Sequence, residues 1–354
     1  MSLKKMKTAI VGYGGMGGWH AERLQKSDVA ELAGIYDIRA ERSELARSRG
    51  IRAYASYDEL LGDRTVELVT VAVPNDVHEE VVVRALRAGK NVICEKPVAL
   101  TLDSLDRMIA VAQETGMHFS THQNRRWDVD YLAMKQIYDS GMLGKVINIE
   151  SRIHGSRGIP SDWRGEKKYG GGMLYDWGIH LIDQMLCIFG FANIESVFCT
   201  LDHITNQEVD DGFRILLRFR SGQLAVVEMG TYNFIAMPRF YLRAEKGTAL
   251  LRDWREETQV VECTHWHENE VLPVQLAAGL TKTMAPRDEL TTKSYTVPRP
   301  TADVHDYYRN FIASVRGQTP QLVTYGQMRT DLKVMLAAFE SAETGRFVPV
   351  RGEE

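Results

Sequence analysis

An amine, a carboxylate and an imidazole can together move protons, and this sequence sets all three where a fold could hold them. Glu95-Lys96-Pro97 closes the apolar run Asn91–Cys94, so the acid and the lysine stand at the carboxyl end of a strand, where α/β sheets bind ligands. Proline lacks an N–H and restricts the residue before it, which keeps Lys96 out of regular helix and in a tight turn open to cis geometry. A surface lysine that merely ends a strand would read the same way on the tripeptide alone. Further on, Gly170, Gly171 and Gly172 permit close backbone approach at a helix entrance. On that helix Asp176 and His180 are four residues apart and share a face, with Asp183 on or near it. A carboxylate one turn from a histidine can fix its orientation and raise its basicity, as a general acid/base needs. A capped helix with a satisfied core histidine would show the same pair. No metal is expected, since further ligands do not stand at a recognised spacing, and His265 and His267, near Glu262 and Glu268, read as surface.

Upstream residues look like a nucleotide site. An apolar strand at 7–11 runs into Gly12-Tyr13-Gly14-Gly15-Met16-Gly17 and then a helical segment. In that context Gly12 makes the tight turn, Gly14 lets backbone approach a pyrophosphate, Gly17 lets the helix pack on the strand, and the N–H groups opening the helix at Gly15 and Met16 attract phosphate. A second strand ends at Asp37, 20 residues after Gly17, placed to accept the ribose hydroxyls. Its charge favours NAD, whereas Arg39 and Arg42 pull towards NADP as the alternative. The nearly all-apolar run 66–73 stops at Pro74-Asn75, a turn at the same sheet edge. Asn75 is a candidate cofactor contact, and His78 is either another or a helix-start residue.

The elements that position these groups follow from alternation. Six strands, including Ala53-Tyr54 and 117–121, alternate with helices in residues 1–123 and define a doubly wound parallel sheet. From Asn124 and Arg125 the pattern changes. A helix and a series of alternating strands from 146 to 253, separated by turns such as Ser221-Gly222, predict an α+β domain at 124–354 with one large, mostly antiparallel open sheet. Residues 268–300, rich in Thr, Pro and mixed charge, are expected as a long loop or lid. Amphipathic helices at 304–315 and 328–342 close the chain and could pack back on the first domain.

With 354 residues, 44% of them hydrophobic, the chain can fill two cores. A net charge of −4 and a pI near 6.2 give no support to nucleic-acid or anionic-membrane binding. There is no apolar run approaching the roughly 20 residues of a membrane span and no secretory pattern, so a cytoplasmic protein is expected. Its four scattered cysteines read as reduced thiols.

The glycine turn with His20, the Pro74-Asn75 turn, Glu95-Lys96-Pro97 and the Gly170 to His180 block occur in an order and spacing that resemble the glucose-fructose oxidoreductase, inositol dehydrogenase and MocA (Gfo/Idh/MocA) family. The resemblance implies a Rossmann domain plus an α/β domain whose open sheet pairs in homodimers or homotetramers. It carries the catalytic lysine onto Lys96 and the helix aspartate and histidine onto Asp176 and His180. Cofactor contacts fall on Gly12, Gly14, Gly17, Asp37, Asn75 and Glu95. Asn124 and Arg125, and more weakly Arg157, Trp163 and Arg164, are then candidates for lining the substrate cleft. The activity implied is hydride transfer between NAD(P) and a secondary hydroxyl or carbonyl of a sugar, inositol or polyol. An NAD-retaining glycosidase and a non-catalytic dinucleotide sensor are the rivals.

Overall fold

In the computed structural model, which describes residues 4–265, 271–287 and 289–354, the first sheet is parallel. Its strands are β1 (Met6–Val11), β2 (Ala30–Tyr36), β3 (Leu68–Val71), β4 (Asn91–Cys94) and β5 (Phe119–Thr121), in the order β2-β1-β3-β4-β5. All four residues of β3 are buried, as befits a strand covered on both faces. Ile10 pairs with Thr70 and Thr70 with Ile93, so the strand ends carrying the glycine turn, Pro74-Asn75 and Glu95-Lys96 rise to one edge. The expected strand at Ala53-Tyr54 is reduced to one parallel bridge, Ala53 to Ile35. Ser56 accepts from Glu59 N and caps the helix Tyr57–Gly62, so the chain turns away before a strand can extend.

The second sheet has nine strands: β6 (Val146–His154), β7 (Ile194–Asp202), β8 (Gly212–Phe219), β9 (Leu224–Gly230), β10 (Phe240–Ala244), β11 (Gly247–Leu251), β12 (Thr258–Cys263), β15 (Thr292–Val297) and β16 (Val348–Pro349). They lie in the order β15-β12-β11-β10-β6-β9-β8-β7-β16. Pairing is antiparallel except between β6 and β9, where Ser151 meets Val227 in parallel register. Residues 268–300 are not the structureless lid expected. Their described part holds the hairpin of β13 (Val274–Leu276) and β14 (Gly279–Thr281), and β15 pairs along all of β12. The charge and threonine that suggested a loop lie on a strand only partly buried. His265 is exposed beyond the end of β12, while His267 and Glu268 lie outside the described residues.

Helices Ile179–Phe189 and Tyr325–Thr344 bury their apolar faces against this sheet. The last helix opens with a capping box, Thr324 with Gln327. The helix Asp306–Val315 crosses the domain division proposed at residue 123 and packs on the first sheet. There Tyr308 Oη lies 2.9 Å from Thr70 Oγ1, and Tyr307 donates to Thr121 O at 2.7 Å. Among the described residues no helix is long and apolar enough to cross a membrane.

Candidate active site

At the nucleotide edge each glycine of the turn has its own geometry. Gly12 has φ +91°, and a Cβ there would stand 2.3 Å from Ala72 O; a Cβ on Gly17 would stand 1.9 Å from Gly12 O. On Gly14 it would meet nothing within 4 Å. Gly12 and Gly17 thus serve packing, and Gly14 faces open space. The helix Gly15–Gln25, whose first turn includes Met16, starts without a side-chain cap, leaving its first N–H groups for an anion. Asp37 is fixed beside the turn, accepting from Tyr13 N at 2.7 Å and Arg39 N at 2.9 Å. The Arg39 guanidinium lies half exposed, 3.6 Å from that carboxylate. The open glycine, the uncapped helix and the fixed acid fit a dinucleotide.

Pro74 opens the turn of Asn75–Val77, and Asn75 Nδ2 donates to Gly170 O at 3.1 Å, tying this edge to the glycine segment of the second domain. His78 is buried with Nδ1 3.0 Å from Pro97 O and Nε2 3.0 Å from Val73 O. A neutral imidazole carries one N–H and donates to one of these carbonyl oxygens, so the buried ring braces the two turns from within the fold.

The Lys96-Pro97 peptide is cis. Lys96 Nζ donates to Asp176 Oδ1 at 2.9 Å and to Asp176 O at 2.8 Å, while Arg164 Nε donates to Oδ2 at 3.2 Å. Burial pushes the Asp176 carboxyl up, but Lys96 and Arg164 override it and hold the group below the usual carboxylate range. His180 is buried, and burial first, then the charges of Lys96 and Arg125, keep it well below the usual imidazole range. It is therefore neutral at neutral pH. Its Nδ1 has no partner among the described residues, and its ring meets Trp177 edge-on at 6.4 Å.

The expected orientation of His180 by Asp176 is not what the side chains do: both Asp176 oxygens go to Lys96 and Arg164. Residues Leu174–Gly178 form a π-helical turn before the α-helix begins, and the wider turn re-aims Asp176 relative to ideal α-helical spacing. Asp183 is also removed from the site, held by two nitrogens of Arg126.

Around this group Arg125 pairs with Asp128 at 2.8 Å and lies 4.1 Å over the Trp177 ring, with Asn124 half-buried in the same turn. Trp163 is half-buried beneath Arg164, at 4.6 Å. Arg157 is exposed on the loop after β6, and no hydrogen bond or ion pair among the described residues joins it to the others.

Glu95 belongs to a buried cluster that sequence spacing does not reveal. Its Oε1 lies 2.8 Å from both His20 Nε2 and His122 Nδ1, and His20 Nδ1 lies 2.9 Å from Tyr308 Oη. Burial raises the Glu95 carboxyl, but the His122 and His20 rings hold it well below the usual range; burial dominates at His20 and lowers it. The three ligand atoms lie within 4.8 Å of one another, a spacing that a cation could span. The contacts drawn are those of a carboxylate accepting from two imidazoles. Oε2 accepts from Lys96 N at 3.2 Å, so Glu95 steadies the lysine's backbone.

A glycine-turn nucleotide domain joined to an α+β domain with a large open sheet, the two meeting where Lys96 bonds Asp176, defines a two-domain dinucleotide-binding protein. The chain belongs to the Gfo/Idh/MocA family: residues 6–123 match the oxidoreductase family's NAD-binding Rossmann fold and residues 131–250 its C-terminal domain. It is 33% identical over 268 residues to the myo-inositol 2-dehydrogenase of Thermotoga maritima, covering 72% of this chain and 78% of that one. An uncharacterized oxidoreductase of Schizosaccharomyces pombe is 39% identical over 196 residues, and the chain spans about half of its length, 53%. The crystal structure of an NAD-binding protein from Listeria innocua superimposes with a TM-score of 0.94 at 41% identity, covering 98% of this chain and all of that one.

Proposed function

We propose that the protein is a nicotinamide-dependent dehydrogenase or reductase acting on a secondary hydroxyl, or the matching carbonyl, of a sugar, inositol or related polyol. The observation that carries this reading is the anchoring of Lys96. An ammonium has three N–H donors, and two of those of Lys96 are committed to Asp176. The third is left for a substrate oxygen. Lys96 then stabilises the developing alkoxide, and neutral His180 accepts the hydroxyl proton in the oxidative direction. Asp176 fixes the lysine, in place of the histidine, and Arg164 keeps Asp176 ionised. Gly12, Gly14, Gly17 and Asp37 would hold the dinucleotide, which when bound supplies the hydride acceptor or donor. The similarity to a myo-inositol 2-dehydrogenase supports the polyol class.

NAD is the favoured cofactor through Asp37, with NADP as the alternative. The face of the nine-stranded sheet left without helices is the proposed contact in a homodimer or homotetramer, and the cytoplasm the proposed compartment. The test is nicotinamide absorbance with NAD and NADP in turn over a panel of inositols, aldoses, sugar acids and their keto forms. Turnover that Lys96→Ala abolishes on any member establishes the reading. Tight cofactor binding with no turnover across the panel overturns it in favour of an NAD-retaining glycosidase, if glycosides are cleaved without net NADH, or otherwise a sensor.

A further inference from the structure

Next to the Lys96-Pro97 turn a cavity of about 10 Å³ is lined by Pro97, Val98, Thr121, Gln123, Ile179 and Asp331, among others. It sits where the end of β5, the segment after Lys96, the residue before His180 and the last helix meet. Most of its wall is apolar. Three polar atoms on residues of this wall are nevertheless buried without a hydrogen-bond partner: Thr121 Oγ1, Gln123 Oε1 and Asp331 Oδ1. Each of these side chains is nine-tenths buried or more, at 3%, 1% and 1% exposed. Their remaining polar atoms are accounted for, since Gln123 Nε2 donates to Asp331 Oδ2 at 3.1 Å and Thr121 O accepts from Tyr307.

A buried polar atom with no partner costs roughly 1–3 kcal/mol, and three on residues that line one small space are better explained by a common partner than by three independent losses. A space of this size admits about one water, and a buried water makes about three hydrogen bonds. The set also balances by type. A hydroxyl can donate, an amide oxygen can only accept, and a carboxyl oxygen accepts whether or not it carries a proton.

We propose that this cavity is the seat of a single ordered water that accepts from Thr121 Oγ1 and donates to Gln123 Oε1 and Asp331 Oδ1. The water joins the nucleotide domain to the last helix next to the segments that carry Lys96 and His180. Burial and the neighbouring Asp183 push the Asp331 carboxyl well above the usual range; an Oδ1 that carries the proton keeps a lone pair with which to accept from the water. The competing arrangement is a proton shared directly between Asp331 and Asp183, with no water in the seam.

The test is a crystal structure of the full chain at about 1.2 Å. A single peak roughly 2.6–3.2 Å from all three oxygens is expected. No peak, with Asp331 Oδ1 against Asp183 instead, overturns the proposal. So does a peak with five or six oxygens at about 2.3–2.5 Å, the signature of a bound cation. Thr121→Val keeps the shape and removes the donor. The peak should then be lost or weakened, and Tm lowered by roughly 1–3 °C. An undiminished peak in that variant would remove Thr121 from the site.

Discussion

Replacing Lys96 with methionine keeps the length of the side chain and its apolar stem while deleting the amine that reaches Asp176. In the resting protein the loss is partial: Arg164 still donates to Asp176 Oδ2, so the carboxylate keeps one charged partner. The pair is also only 14% and 16% exposed, so breaking it should cost about 1–3 kcal/mol and the chain should still fold. On the proposed reading the loss in the reaction is larger, because the amine's third N–H would meet the charge that develops on the substrate oxygen. Removing one such preorganised donor typically costs ~10²- to 10³-fold in turnover, about 2.7–4 kcal/mol. Steady-state nicotinamide absorbance reads that fall, and fluorescence titration of the reduced cofactor should show its affinity changed by less than about threefold. The pH profile gives a second, independent reading. After burial, Lys96 is the strongest influence holding His180 low, so without it the imidazole protonates more readily. The acid limb of kcat/KM for oxidation should therefore move to higher pH. Turnover within about threefold of the unmodified enzyme, or an acid limb that stays in place, would refute the roles assigned to both residues.

The two turn glycines should separate cleanly. Gly17→Ala forces a methyl to 1.9 Å from Gly12 O and should lower Tm by roughly 10 °C or prevent folding, whereas Gly14→Ala meets nothing and should hold Tm within ~2 °C while weakening dinucleotide binding tenfold or more. Equal behaviour of the pair in melting and titration would contradict the packing described. His20, His78 and His180 are all lowered by burial. Above pH ~6.5 both folded and unfolded rings are neutral; below it the unfolded chain binds protons that the native state refuses, so stability falls with pH, by up to ~1.4 kcal/mol per unit for each ring. Glu95 and Asp176, held low, add a further loss as pH drops below ~4. Urea unfolding at pH 7.5, 6.5 and 5.5 measures the slope, and a flat profile would mean the rings are not buried neutral. Arg239, buried with Asp130 at 2.7 Å, offers a stability test on a pair to which no chemical role is assigned. Arg239→Met should cost about 3–5 kcal/mol by stranding Asp130, and adding Asp130→Leu should restore part of it. A double variant no better than the single would show that the charge left behind is not the cause.

What could be read in the sequence was what depends on neighbours in the chain. The glycine turn is legible because its strand, turn and helix are contiguous, and Asp37 because a strand of regular length separates it from that helix. The Asp176-His180 pair misled for the same reason: i,i+4 logic assumes an α-helix, and nothing in the local residue types announces a π-helical turn. The partners of Glu95 were out of reach because His20 stands 75 residues before it and His122 27 after. Only folding brings them together, as it brings Tyr308 to His20 across 288 residues. Strand β15 was concealed by its own exposure, which lets charge and threonine sit where a buried strand would show an apolar run. Ala53-Tyr54 shows the reverse, apolar residues whose strand is cut short by the cap that follows.

The helix Asp306–Val315 has a consequence for the life of the chain during synthesis. Its Tyr308 hydroxyl meets Thr70 in the middle strand and His20 on the nucleotide helix, so the first-made third of the chain does not contain all of its own core. A ribosome that has finished β5 has delivered five strands whose inner lining is still some two hundred codons away. Domains that fold as units can do so in order of emergence, but this one has to wait for the last seventh of the chain. Cofactor capture by the nascent chain is therefore a late event, and a message truncated before those tyrosines yields a product with an exposed core that quality control can recognise.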